Sequence, residues 1–67
     1  MFIKEIIIYN SSTLFGAMSR TRSYSYKELQ ELTKMEREPL FHAILKLLRE
    51  NKITQYLKGS HVRYAVS

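Results

Sequence analysis

The chain has 67 residues, 45% of them hydrophobic, which allows one domain around one small core and argues against disorder. Eleven Lys and Arg against 6 Asp and Glu give a net charge of +5, a field that attracts phosphate backbones or anionic lipid. There is no cysteine, so disulfides and thiolate metal sites are excluded, and the composition fits a reducing compartment.

The first segment is apolar but carries Lys4 and Glu5, and its uninterrupted apolar run is only Ile6 to Tyr9. A membrane span needs roughly 20 apolar residues, so a soluble, cytoplasmic protein is the expectation. Ile3, Ile7, Leu14 and Met18 recur at helical spacing, with Ile6 and Phe15 beside them, and predict a helix over about 3–18. Asn10 and Ser11 interrupt that face, and Gly16 weakens the helix by about 1 kcal/mol relative to alanine. The isoleucine run is also good strand material, so the alternative is a strand over 3–9 followed by a helix from about Ser12.

Ser19 to Ser23 is polar and basic and reads as a loop, and Ser23 with Tyr24 suits a brief strand pairing with a later hairpin. Ser25, Tyr26, Lys27 and Glu28 match a capping box, which starts a second helix over about 26–33 with Leu29 and Leu32 as its apolar stripe. Thr33 to Glu36 makes a short turn. A third helix follows over about 37–51, with Pro39 tolerated in its first turn and Glu36 and Glu38 suited to its positive end. Leu40, Ala43, Ile44, Leu47 and Leu48 form its core side, and Asn51 tolerates the left-handed turn that ends it.

The segment over about 53–66 reads as two strands around Gly59 and Ser60, with Gly59 suited to a type II′ turn. That register pairs Leu57 with Val62 and Ile53 with Val66. One face then carries Ile53, Leu57, Val62, Tyr64 and Val66 toward the core. The other carries Thr54, Tyr56, Lys58, His61, Arg63 and Ala65 toward water.

This order of elements, from Tyr24 to Val66, resembles the winged helix-turn-helix family. Leu29, Leu32, Leu40, Ile44, Leu47, Leu48 and Ile53 are its anchors, and 47–53 is the most family-like stretch. The resemblance implies a single domain over 1–67, mainly α with a C-terminal β-hairpin: three helices plus a two- or three-stranded wing. It further implies sequence-specific binding of double-stranded DNA, as in a small transcriptional regulator, with the third helix in the major groove and the wing on the backbone or minor groove. The chain departs from the Z-DNA-binding members, having no proline pair with tryptophan in the wing.

On that reading Arg37, His42 and Lys46 contact base edges or phosphates, with His42, Lys46 and Arg49 spaced as one polar stripe. Arg20, Arg22 and Lys27 cluster where the second helix meets a phosphate. Lys58, His61 and Arg63 lie on the outer side of the wing, and Arg63 stands opposite Tyr56, on which it can stack. The plainer readings are a solvated helix face, a flexible basic loop and a strand edge protected by charge. Tyr24, Tyr26, Tyr56 and Tyr64 suit either base stacking or, more commonly, the rim of a core.

Two features oppose a simple DNA reader. Glu36 and Glu38 repel phosphate, although a glutamate can accept a hydrogen bond from cytosine N4. Phe41 and Leu45 widen the apolar face of the third helix, which predicts burial under the first helix or else a protein interface. A homodimer is expected, because one small module buries little surface on DNA; the first helix or the Phe41 and Leu45 flank would form it.

Catalysis has no support. His42 and His61 fall on different elements and make no zinc site, Gly16 and Gly59 are isolated, and no nucleophile stands at recognisable spacing from a base. No cofactor and no small-molecule ligand is inferred. The rival readings are a winged helix used for protein–protein assembly and a DNA-bending accessory factor in recombination or replication.

Overall fold

A computed structural model describes residues 3–67. The elements run α1 (Ile3–Ala17), β1 (Ser23–Tyr24), α2 (Tyr26–Thr33), α3 (Arg37–Arg49), β2 (Ile53–Lys58) and β3 (His61–Val66). The two short strands expected from the hairpin are joined by β1, giving a three-stranded antiparallel sheet in the order β1-β3-β2.

The first segment is one continuous helix rather than a strand and a helix. Ser11 does not break its inner face: it is buried, and its hydroxyl donates to the Ile8 carbonyl at 2.9 Å, so the buried oxygen is satisfied within the helix. The expected place of Ile3 on that face lies outside the described side chains. At the far end, the Ser19 amide donates to the Tyr24 hydroxyl at 2.9 Å, which ties the exit from α1 to β1.

The α2 start follows its sequence signature. The Glu28 amide donates to the Ser25 hydroxyl at 3.1 Å, and the Ser25 amide donates to the Glu28 carboxylate at 2.8 Å. Lys34 adopts the left-handed conformation at the C-cap of α2, with φ 61°. Beyond α3, the Asn51 amide reaches the Leu48 carbonyl and the Lys52 amide reaches the Leu47 carbonyl. With Asn51 at φ 60°, this is a Schellman motif, so α3 stops at Arg49, two residues before the expected limit.

Leu14, Leu29, Leu40, Ile44, Leu47 and Ile53 are the largest fully buried side chains, and each contributes on the order of 1.5–3 kcal/mol through burial. Met18, Tyr24, Ala43 and Tyr64 complete this core, with Phe15, Tyr26, Met35, Leu48 and Val66 packed against it. Leu32, expected as an anchor, is instead 46% exposed, because the eight-residue α2 turns one narrow side, centred on Leu29, to the core.

The hairpin register is as the sequence predicts: Ile53 opposes Val66, Leu57 opposes Val62, and Gly59 has φ 65° in the turn. Its apolar face, however, is only half covered. Ile53 and Tyr64 are buried near the base, whereas Leu57 is 71% exposed and Val62 is also exposed. A six-residue strand spans roughly 20 Å, and the three small helices cover its base alone.

Candidate nucleic-acid interface

The starts of α2 and α3 meet the interior of β3. Tyr26 opens α2, Arg37 and Glu38 lie in the first turn of α3, Phe41 follows one turn later, and Tyr64 comes from β3; together they line one cleft. The Tyr26 hydroxyl donates to the Arg37 carbonyl, which locks the start of α2 to the start of α3. Burial, and next the neighbouring Tyr26, push the Tyr64 phenol above its ordinary pKa, so this hydroxyl keeps its proton at physiological pH. Phe41 is 50% exposed at its mouth, which overturns the expectation of burial under α1.

Leu45 lies on another flank. It lines a groove between α3 and the first two turns of α1, with Lys4, Ile7, Ile8, His42, Lys46, Arg49 and Glu50. Leu45 is 38% exposed there, and Ile6, Ile8 and Tyr9 of α1 are exposed as well. The two apolar residues that the sequence places on one widened face therefore serve two different surfaces.

The same groove gathers the polar stripe of α3. His42, Lys46 and Arg49 do line one surface, as their spacing predicts, but it borders α1 and not the hairpin. Lys46 pairs with Glu50, whose carboxylate also lies 3.5 Å from Lys52. The hydrogen bond from Lys46, ahead of the nearby charges, holds the Glu50 carboxyl below the usual carboxylate range.

Arg63 is committed within the domain. It opposes Tyr56 across the strands, yet its guanidinium turns to β1 and α2. Nε donates to the Ser23 hydroxyl at 3.2 Å, one terminal nitrogen donates to the Ser23 carbonyl at 2.7 Å, and the other donates to Glu28 at 3.0 Å. The proposed stack on Tyr56 is thus replaced by a planar fork matched to a carbonyl, a hydroxyl and a carboxylate. Arg63, Lys46 and the exposed Lys58 do not make a single cationic face; Lys46 sits in the α1 groove and Arg63 at the α2 end of the sheet.

Other cations remain available. Lys27 in the first turn of α2, Arg37 in the first turn of α3, and Lys58 and His61 on either side of the hairpin turn are exposed, and the ion pairs among the described residues do not include them. Arg20 is exposed in the α1–β1 loop, and the Arg22 guanidinium lies 5.5 Å from the centre of the Tyr24 ring.

No protein-family model matches the chain, and comparison with curated proteins gives no match. Among the described residues, no helix is long and apolar enough to cross a membrane, and no group of three or more His, Cys, Asp or Glu is placed to hold a metal ion.

Proposed function

We propose that the protein is a winged-helix module that binds double-stranded DNA, with α3 in the major groove and the β2–β3 hairpin as the wing, and acts as a small transcriptional regulator. The observation that carries this reading is the junction of the α2 and α3 starts with β3 at one open cleft, where the exposed Arg37 forms part of the wall, with the exposed Lys27 in the first turn of α2. Helix N-termini add their own positive ends to that side. Lys58 and His61 stand at the exposed tip of the hairpin, beyond the part that the core covers. Arg63 then supports the interface by holding the hairpin against α2.

A gel-shift titration in salt tests this. Affinity for duplex DNA should fall steeply as salt rises, and alanine at Lys27, Arg37 or Lys58 should each lower the logarithmic salt slope by about 1. Duplex affinity that does not respond to salt would remove the phosphate contacts, and with them this reading.

A second reading is favoured by a separate observation. The start of α1 is apolar on several sides: Ile6, Ile8 and Tyr9 are exposed, and Ile8 lines the groove with Leu45. Such a helix surface is normally covered. It supports assembly through α1 and α3, either as the homodimer that a DNA reader would use or as a protein–protein module without DNA. Sedimentation of the parent and of Leu45→Ser distinguishes them: a homodimer predicts a parent at twice the monomer mass and a variant shifted to monomer.

A further inference from the structure

We infer that α3 reads pyrimidines, with Phe41 covering the methyl group of a thymine and Glu38 accepting a hydrogen bond from the N4 amine of an adjacent cytosine; this rests on the DNA-binding reading above. Both side chains line the cleft beside the hairpin, and Phe41 is half exposed although it belongs to no core. They are three residues apart on one helix, a rise of about 4.5 Å, close to the ~3.4 Å step between stacked base pairs. Glu38 is the informative residue. A carboxylate that enters the major groove meets phosphate repulsion and acceptor atoms almost everywhere, and needs a donor. Cytosine N4 and adenine N6 are the donors there, but adenine sets its N7 acceptor beside N6, which opposes a second carboxylate oxygen. Cytosine offers no such acceptor. The thymine methyl is in turn the one apolar group that the major groove displays, and it suits an exposed ring. Arg37, one turn before Phe41 and exposed, offsets the Glu38 charge toward the backbone.

The experiment uses the full chain. Duplexes are enriched from a random pool at moderate salt and sequenced, then resynthesised with uracil in place of each thymine, which removes the methyl group alone. Enrichment of cytosine next to thymine is expected. Affinity should fall roughly fourfold at the critical thymine, the effect of one buried methyl-sized group. Phe41→Ala should bind the two versions equally. Glu38→Gln should move the enriched base from cytosine toward adenine, because glutamine pairs with both adenine N6 and N7. Equal affinity of the parent for thymine and uracil duplexes, with no cytosine enriched, overturns this inference while DNA binding stands. Failure of the chain to retain any duplex at low salt overturns the DNA reading itself. The decisive comparison is made on the parent protein, so it does not depend on a variant folding.

Discussion

Arg63 and Glu28, 35 residues apart in the chain, meet at 3.0 Å, and the same Glu28 carboxylate oxygen accepts the Ser25 amide at the N-cap of α2. One acidic side chain therefore closes a helix cap and anchors the hairpin. The consequence is mechanical: the hairpin is oriented by β1 and α2 as well as by its own base. Ser25→Ala removes the hydroxyl that accepts the Glu28 amide, and should lower stability by about 1 kcal/mol. For a domain of this size that is a fall in Tm of about 4–8 °C, readable by circular dichroism. Arg63→Ala leaves the cap intact, so it should instead raise amide exchange in β3 more than in α2.

Acid should loosen the same joint. The hydrogen bond from the Ser25 amide, assisted by Arg63, lowers the Glu28 pKa in the folded state, and the Lys46 hydrogen bond lowers that of Glu50. A carboxylate with a lowered folded pKa stabilises the fold above its unfolded value, about 4.3, and loses that contribution as pH falls through the folded value. Tyr64 has the opposite sense: burial raises its folded pKa, so its contribution is complete below about 10 and is lost as pH rises beyond that. Through these groups Tm should decline as pH falls below about 4.3 and as it rises beyond about 10. Glu28→Gln should reduce the decline on the acid side and leave the alkaline side unchanged.

Leu29 and Leu32 carry equal weight in the sequence, as neighbours on an apolar stripe, and unequal weight in the fold. Leu29 is fully buried and Leu32 is largely exposed near Glu28 and Glu31. Leu29→Ala should cost about 2–5 kcal/mol, a large share of the total for so small a domain. Leu32→Ala should stay within about 0.5 kcal/mol, the usual range for a surface position. Urea denaturation of both variants measures the difference, and similar midpoints would contradict this placement of α2.

Local chemistry made much of this fold legible. The capping box fixed the start of α2, Asn51 marked the end of α3, and the alternation around Gly59 set the hairpin register. These signals act over a few residues, so the sequence contains both partners. The site was less legible because it depends on distances along the chain. Nothing near Arg63 points to Glu28, and its strand partner Tyr56 is the more visible candidate. Nothing in the spacing of Phe41 and Leu45 shows that α1 runs along one flank of α3 and leaves the other to the hairpin. Leu57 and Val62 alternate like core residues, and only the size of the helical layer shows that the hairpin outruns it. The Tyr26, Phe41 and Tyr64 cleft had one faint sequence signal, an aromatic at the first position of α2, where the helix needs none.

The two glycines offer a test with opposite signs. A Cβ built at Gly16 meets nothing within 4 Å, and the residue lies inside α1 with helical geometry. Gly16→Ala should stabilise the protein by up to about 1 kcal/mol, since alanine loses less backbone entropy in a helix. Gly59 also has open space around it, but its φ is 65°, a conformation that opposes any side chain. Gly59→Ala should destabilise by about 1–2 kcal/mol despite the absence of a clash. Under the DNA reading it should also weaken duplex affinity, because the turn sets where Lys58 and His61 project. Thermal denaturation of the two variants side by side separates backbone strain from packing. If both alanines stabilise, the turn around Gly59 is not the left-handed one that orients the tip of the hairpin.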